Sequence, residues 1–439
     1  MKRIIFLLLS ILPVVGYTQQ DNSEWTLRKC IDYAHQNNIQ VKSSQIAVQS
    51  AETDVLQAKA QRLPSLSFST SQNVTNQKTE MPEGDFKSNS AYNGNYSLNL
   101  GMTLYNGGKL NNSIRYQETL RQSRTFETAI ARNNIEIAVT EAYLQILYAN
   151  ESLKTDQQTV ESSIAQLNRS KALQEAGSIS ISDYAQIEAQ YNSDLYQLTV
   201  AKNTLAQSIL SLKQLLELEL TDTFSPAFPE LSNEQVLTPV PALAEVYRKA
   251  IDVMPEVSNS RLNIEAALIG EKKAQAERLP TISLNAGINT GHNSGSDYSF
   301  SQQLDHKLNE SAGISISIPI LNNRQGKSAI EKARLQKESS ELDYTNTCKE
   351  LLKTVESLYL DAVSAQSRYN ASVSKTESAT LSYQLMQEQF NAGMKNTVEL
   401  LTEKNNFLAA QQEQIQAKYQ TILSVKLLNF YQNEPITIE

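Results

Sequence analysis

One stretch of the sequence has residue types that could bind a nucleotide phosphate. Gln325-Gly326-Lys327-Ser328 follows a segment with a strand pattern and precedes a helical pattern, as the lysine end of a phosphate-binding loop does. The complete motif needs another glycine five residues before Gly326, and Leu321 occupies that position. The sequence therefore predicts no loop that could surround a phosphate and no nucleotide site.

The histidines are the remaining candidates for chemistry, because they often bind metal ions. The chain has 3 of them, His35, His292 and His306, and each is isolated in the sequence. A metal site needs several ligands at matched spacings, so we expect solvated surface histidines and no metal. No cluster of residues has the arrangement of a catalytic site. The sequence predicts a protein that is not an enzyme and that needs no cofactor.

Composition favours long helices with narrow apolar stripes over several compact domains. At 439 residues the chain could hold more than one ordinary domain, but only 40% of the residues are hydrophobic. Gln, Asn, Ser and Ala are frequent throughout. The formal net charge of −8 makes nucleic acid an unsuitable partner, because phosphate binding needs a basic surface.

The first 18 residues have the pattern of a secretory signal peptide. Lys2 and Arg3 precede the apolar segment Ile4–Val15, which is too short to cross a membrane as a helix. Small and polar residues then fit a cleavage site near Thr18–Gln20, so we expect an exported protein. No other apolar run approaches the length of a transmembrane helix.

The two cysteines, Cys30 and Cys348, could pair in an oxidising compartment. Their wide separation favours two free or buried thiols. Cys30 follows Leu27-Arg28-Lys29, which is not the context of a lipid-modified cysteine, and it lies too far beyond the predicted cleavage site.

Asn95–Tyr105 has the alternation of a strand with one apolar and one polar face. Its polar positions are Asn95, Ser97, Asn99, Gly101 and Thr103. A strand of about ten residues that crosses a membrane, with lipid on one side and water on the other, has this pattern. The residues that we expect to face lipid, here and in a later strand, are Tyr96, Leu98, Leu100, Met102, Leu104, Ile314, Ile316 and Ile318.

The sequence contains an internal repeat with an offset of 216 residues. Ala58–Ser67 reads AKAQRLPSLS, and Ala274–Ser283 reads AQAERLPTIS. Gly177 and Gly393 keep the same offset. A period of this length indicates a duplicated unit of domain size, not a solenoid.

Each half of the chain has the same predicted order of elements. A helix is followed by two strands with a polar loop between them, then by a helix of about 100 Å, a glycine turn and a return helix. The predicted helices are 24–62, 109–175, 180–219, 241–278, 327–391 and 396–431, the strands are 65–74, 95–105, 281–290 and 312–320, and the loops are 75–94 and 291–311.

These elements predict residues 19–220 as the first repeat and 242–439 as the second. Between them, 221–241 is a proline-containing linker that we expect to lie on the helical body. Four strands cannot close a barrel, and an open sheet edge in lipid leaves backbone groups without hydrogen bonds. A membrane location therefore requires several chains that combine their strands in one barrel. The sequence pattern does not determine the number of chains.

The duplicated halves, Leu104–Lys109 (LYNGGK), Pro319–Lys327 (PILNNRQGK) and Ala176–Asp183 (AGSISISD) together resemble the TolC-type outer-membrane efflux proteins. This resemblance covers almost the whole mature chain. It implies a mainly α fold with a transmembrane β part, in which a trimeric 12-stranded barrel, with four strands from each chain, continues into a long periplasmic α-helical barrel. It also implies the outer membrane of a Gram-negative bacterium as the location.

The resemblance further implies a periplasmic adaptor that docks on the two glycine turns. Helix termination alone is the simpler interpretation of the two glycines. The implied partners are a homotrimer of this chain, the adaptor, outer-membrane lipid and an inner-membrane transporter of the RND, ABC or MFS type. The implied docking residues are Gly177, Ser178, Ile179, Ser180, Gly393, Met394, Asn396 and Thr397.

A gate near these turns is also implied by the resemblance. Glu399 matches the position of an acidic ring that faces the lumen, but Thr402 stands where a second acid is typical. The resemblance therefore does not decide between one acidic ring and two. A solvated helix face is the alternative. Polar links between hairpins would close the tip, with Lys395 and Asp183 as the candidate latch. Two further residues belong to the implied gate. Ser182 matches a position that in the family pairs with the basic residue, and Phe390 stands where the family has a tyrosine.

The function that these features predict is an exit duct for small molecules such as drugs in a tripartite efflux pump. Type I protein secretion is an alternative within the same class. A periplasmic coiled-coil adaptor is the alternative from another class, but it needs no amphipathic strands.

Overall fold

In the computed structural model of the chain, residues 24–82, 84–229, 231 and 236–438 are described. The predicted signal peptide, its cleavage site and part of the predicted linker lie outside these residues. The elements in chain order are α1 (Leu27–Asn37), α2 (Ile39–Ala60), β1 (Ser65–Glu80), β2 (Phe86–Asn106), α3 (Lys109–Glu175), α4 (Ile181–Leu215), α5 (Leu243–Val253), α6 (Pro255–Ala276), β3 (Thr281–Asn293), α7 (Phe300–His306), β4 (Asn309–Ser317), α8 (Gln325–Asn391) and α9 (Thr397–Phe430).

The order of elements repeats in the two halves of the chain, with the short helix α7 as an addition in the second. The helices α3 and α8 have 67 residues each, which corresponds to about 100 Å. Each packs against its return helix, α4 or α9. Among the described helices, none is long and apolar enough to cross a membrane.

The predicted first helix of each half is divided into two. Asn38 separates α1 from α2 because its backbone is extended and its side chain accepts a hydrogen bond from the Gln40 amide at 2.8 Å. Its side-chain amide also donates to the Leu215 carbonyl at 3.0 Å. In the second half, Met254 is forced into an extended conformation because it precedes Pro255, which opens α6.

The prediction of a loop at 75–94 is wrong. Strand β1 continues to Glu80 and strand β2 already begins at Phe86, so the two form a ribbon that extends beyond β3 and β4. This ribbon has no apolar alternation because neither face is buried, so the periodicity signal was absent. In the second half, α7 lies within the predicted loop 291–311, and β4 begins at Asn309.

Strand β4 ends at Ser317, before the predicted end at residue 320. Pro319 cannot donate a ladder hydrogen bond, and Ile318 therefore lies one residue beyond the strand.

The four strands form one antiparallel sheet in the order β1-β2-β3-β4, and their register joins the apolar residues into one face. Leu100 lies opposite Leu66 in β1 and Ala286 in β3. Ala286 in turn lies opposite Ala312 in β4. We call this side the apolar face; further paired residues on it are Phe68, Leu98, Ile288, Met102, Leu284, Ile314, Ile282 and Ile316.

The opposite side, which we call the polar face, is formed by the alternate residues. Asn99 lies opposite Ser67 and Gly287 there. Near the inner end of β2 the register shifts between Thr103 and Tyr105, so Leu104 has no partner in β3. The amphipathic character that the sequence predicts for one strand thus extends over the whole sheet.

The main hydrophobic core lies away from the sheet, where α1, α3 and α9 meet. Tyr143 is 1% exposed there, and its hydroxyl donates to the carbonyls of Ala227 at 2.8 Å and Trp25 at 3.2 Å. The described part of the segment between the repeats therefore lies on the helical body. Cys30 is buried, which raises its pKa to about 12, and neither it nor Cys348 forms a disulfide.

The two faces predict opposite effects of arginine at neighbouring positions of β2. If the apolar face meets lipid, as the sequence predicts, Leu100→Arg should prevent insertion and assembly in the membrane, because arginine on the lipid side costs about 2–4 kcal/mol at mid-membrane. Asn99→Arg is the matched control and should assemble. Membrane fractionation and heat-modifiable mobility on a denaturing gel measure assembly. Equal assembly of both variants would contradict the assignment of faces.

Candidate functional site at the helical tips

Both long helices end at a glycine in the left-handed conformation. Gly177 has φ 75° and Gly393 has φ 73°, a region that residues with a Cβ atom rarely adopt. The following amides reach back five residues, from Ser178 to the Leu173 carbonyl at 2.8 Å and from Met394 to the Gln389 carbonyl at 2.9 Å. These hydrogen bonds are those of a Schellman turn, so both glycines are required to end their helices.

The return helices α4 and α9 begin with the same reciprocal cap. The Ser180 hydroxyl accepts a hydrogen bond from the Asp183 amide at 3.0 Å, and the Asp183 carboxylate accepts one from the Ser180 amide at 3.3 Å. Asn396 and Glu399 form the equivalent pair, at 2.9 and 3.2 Å. Asp183 and Glu399 are therefore the acidic members of two capping boxes, a local role that the sequence analysis did not assign.

The candidate latch between Lys395 and Asp183 is not made within one chain. The Lys395 ammonium lies 2.6 Å from the Glu399 carboxylate instead, one helical turn away. That hydrogen bond, with another from the Asn396 amide, lowers the pKa of Glu399 from its usual value. A lysine three or four residues from a glutamate pairs locally at little entropic cost, which explains why the nearer acid is its partner.

Asp183 joins the two hairpins through a different residue. Its pKa is lowered mainly by the hydrogen bond that the carboxylate accepts from the Ser180 hydroxyl at 2.6 Å, and further by the nearby hydroxyl of Thr397. Thr397 is only 2% exposed and is the first residue of α9. The tip of the first hairpin therefore lies beside the tip of the second at Asp183 and Thr397.

The other predicted residues occupy the same end of the helices. The Thr402 hydroxyl donates to the Val398 carbonyl of its own helix at 2.8 Å. The adjacent Glu403 accepts a hydrogen bond from Ser382 in α8 at 2.9 Å, so it is engaged within the second hairpin. Ser182 is exposed and Phe390 is half-buried.

Large apolar side chains are exposed around the two turns. Ile181 is 75% exposed, Met394 is 69% exposed and Val398 is 59% exposed. Met394 is one of the docking residues expected from the sequence, and Ile181 and Val398 directly follow two others. The docking residues Ser178 and Ser180 are also exposed. The tips therefore present apolar side chains on an otherwise polar surface.

A buried ion pair that the sequence analysis missed lies further along the same helices. The Lys404 ammonium is 2.6 Å from the Asp194 carboxylate and 2.6 Å from the Ser163 hydroxyl. The side chains of Lys404 and Asp194 are 3% and 6% exposed. Gln190 donates to the second carboxylate oxygen at 2.8 Å. This cluster fixes α9 against both helices of the first hairpin.

A sequence signal for this pair was present. Thr397, Leu400 and Lys404 recur at helical spacing and are all buried. Asp194 interrupts a similar stripe of α4 between Ile187 and Leu198. A charged residue within a buried stripe needs a partner of opposite sign, and two such interruptions in helices that pack together predict a pair.

Comparison with known proteins identifies the class to which this arrangement belongs. The profile described as "Outer membrane efflux protein" matches residues 30–217 and 246–431, once in each half of the chain. The chain belongs to the outer membrane efflux protein family.

Individual relatives match along most of the chain. Outer membrane protein TolC of Salmonella enteritidis is 22% identical over 430 residues, 97% of this chain and 84% of that protein. Alkaline protease secretion protein AprF of Pseudomonas aeruginosa is 24% identical over 354 residues, 79% of this chain and 71% of that protein. The crystal structure of CusC matches with a TM-score of 0.78 at 17% identity, over 94% of this chain and 95% of that chain.

Family membership confirms the predicted class of protein. These proteins are efflux channels of the Gram-negative outer membrane with a long helical barrel in the periplasm, and they are not enzymes. They form homotrimers and work with adaptors and inner-membrane transporters. The predicted fold, in which three chains supply four strands each, agrees with the open sheet described above.

The buried pair predicts a large and specific effect on stability. Lys404→Met should lower the stability of the helical part by about 3–5 kcal/mol, because Asp194 remains buried without a counter-charge. The double variant Lys404→Met/Asp194→Leu should recover most of the loss. Thermal unfolding of the purified protein, followed by far-UV circular dichroism, measures both.

The exposed pair between Lys375 and Glu413, 54% and 55% exposed, provides the control. Lys375→Met should cost at most about 1 kcal/mol. If Lys404→Met and Lys375→Met unfold at the same temperature, the buried pair does not hold the hairpins together.

Proposed function

We propose that this protein is the outer-membrane exit duct of a tripartite efflux pump and that it exports small molecules such as drugs. The observation that carries the proposal is the combination within one chain of an amphipathic four-stranded sheet and two helical hairpins of about 100 Å whose tips carry linked polar groups. A soluble periplasmic adaptor would have no use for a sheet that is apolar on one face and polar on the other.

Assembly of the duct follows from the edges of the sheet. Strands β1 and β4 are the two edges, and their residues are exposed throughout in the single chain. Each unpaired backbone group in lipid costs several kcal/mol. Pairing β4 of one chain with β1 of the next removes both edges, and three chains close a barrel of twelve strands around the polar face.

The gate lies at the periplasmic tips in this proposal. Three copies of Glu399 and Asp183 converge there, and the lowered pKa values of both carboxyls keep them charged at neutral pH. Like charges around a narrow opening attract cations and repel anions. Lys395 offsets part of this charge, since it pairs with Glu399.

The latch that we propose in place of the Lys395 contact is the Thr397 hydroxyl, which lies beside the Asp183 carboxylate. A single hydrogen bond there contributes about 1 kcal/mol, so three copies bias the gate towards closure without locking it. A docked partner can then open it. The exposed Ile181, Met394 and Val398 offer such a partner an apolar surface beside the latch.

Protein secretion is the second candidate function. It is favoured by the similarity to AprF, whose name refers to the secretion of alkaline protease. Both functions use the same duct, because the inner-membrane partner selects the cargo. Co-purification with the wild-type chain, followed by mass spectrometry, identifies that partner as a transporter of the RND, ABC or MFS type.

Single-channel recording of the purified protein in a planar bilayer tests the duct and its latch. The wild type should show small conductance, and Thr397→Val should raise it, because the valine keeps the shape of the side chain but loses the hydroxyl. Each link of about 1 kcal/mol corresponds to about fivefold in the open population, and the trimer loses three of them, so the rise should be at least about fivefold and up to about a hundredfold.

Thr402→Val is the matched control, since the Thr402 hydroxyl bonds only to the backbone of its own helix among the hydrogen bonds of the described residues. It should gate as the wild type does. Identical gating of Thr397→Val and the wild type would refute the latch, and a protein that never conducts would refute the duct.

A further inference from the structure

The polar face of the sheet carries no charged side chain where the four strands pair. Alternate residues on this face are Asn, Ser, Thr or Gly along Ser65–Thr75, Asn93–Thr103, Thr281–Asn293 and Asn309–Ser317. The uniform choice of neutral side chains requires an explanation.

The charges that the four strands do carry lie elsewhere. Lys78, Glu80 and Lys87 belong to the two-stranded ribbon beyond β3. Glu310 lies opposite Ile288 and therefore on the apolar face, at the edge strand. At the outer rim of the polar face, the Lys307 ammonium donates to the Asn293 side chain at 3.0 Å.

Two open depressions lie on the polar face of the sheet. A cavity of about 600 Å³ is lined by residues of all four strands, among them Ser67, Asn99, Asn285 and Ser315. A second cavity of about 750 Å³ lies towards the outer end, where Asn73, Asn93 and Asn95 line it together with Lys307 at the rim. The polar surface is the one that encloses the lumen when the barrel closes.

The neutral groups of this face can bind cargo of either sign, but only weakly. Asn side chains offer both donors and acceptors, and hydroxyls do the same. Some of these groups already bind one another, as where the Asn285 amide donates to the Ser315 hydroxyl at 3.0 Å. Weak and exchangeable contacts let a solute enter and leave without being trapped.

We propose that the polar face is a charge-neutral lining of the barrel lumen, so that anionic, cationic and neutral polar cargo pass this section alike. Discrimination by charge then belongs to the helical section, where Asp183, Glu399 and Lys395 lie. This proposal rests on the proposed function as an exit duct. It assigns cargo tolerance to the sheet and charge selection to the tips.

Reaction of engineered thiols with charged reagents tests the potential at this face. In a Cys348→Ser background, Asn99→Cys is treated with a cationic and an anionic methanethiosulfonate reagent at low ionic strength. Cys30 is buried and its pKa is raised to about 12, so it contributes little thiolate. With rates normalised to a free thiol, the two reagents should react within about twofold of each other, since the local potential is near zero.

Two further variants make the result decisive. Adding Ser97→Asp beside Asn99→Cys, on the same face, should produce a clear preference for the cationic reagent, which shows that the assay detects a single charge. Leu100→Cys on the apolar face should react at least about tenfold more slowly with both reagents, because charged reagents do not enter lipid. Ser315→Cys serves as a second position on the polar face and should behave as Asn99→Cys does.

A preference of fivefold or more for either reagent at both Asn99→Cys and Ser315→Cys would overturn the proposal. So would faster reaction at Leu100→Cys than at Asn99→Cys, because the faces would then be reversed. Failure of the duct is distinguishable: equal labelling of a protein that does not conduct would leave the neutral lining intact and refute the transport function alone.

Discussion

Backbone hydrogen bonding at the two edges of the sheet is the constraint on which the rest of the structure depends. Strands β1 and β4 each have one side without a partner in the single chain. Water can satisfy those groups, but lipid cannot. If the apolar face with Leu98, Leu100 and Ile316 meets lipid, as we propose, its edges must be paired by other chains. In that environment, the local alternation of side chains requires the protein to be an assembly.

The helical part obeys a different constraint, because long polar helices have little core to hold them. Stability comes from the cluster around Tyr143 and from a few buried polar contacts. The pair of Lys404 and Asp194 fixes the hairpins to each other, whereas the tips are held by the weaker contact of Asp183 with Thr397. A rigid body with a weakly linked end is suited to a gate that a partner opens.

The features predicted from the sequence are those with a strong local signal. The duplication, the helix ends at Gly177 and Gly393 and the amphipathic character of β2 depend on period, turn chemistry and alternation, and the structure has all of them. The break at Asn38 was missed because its hydrogen bond to Leu215 joins distant parts of the chain. The extension of β1 and β2 was missed because a ribbon with two polar faces leaves no apolar alternation. At the tip, Lys395 pairs with Glu399, which is closer along the chain than the expected partner Asp183.

The number of chains in the assembly tests the central claim most directly. Native mass spectrometry of the detergent-solubilised protein counts the chains without assuming a function. The account predicts a single species of three chains, in which every strand edge is paired. A monomer that is stable after extraction, or an open series of oligomers, would mean that the edges of the sheet are satisfied in another way, and the account of the barrel would be wrong.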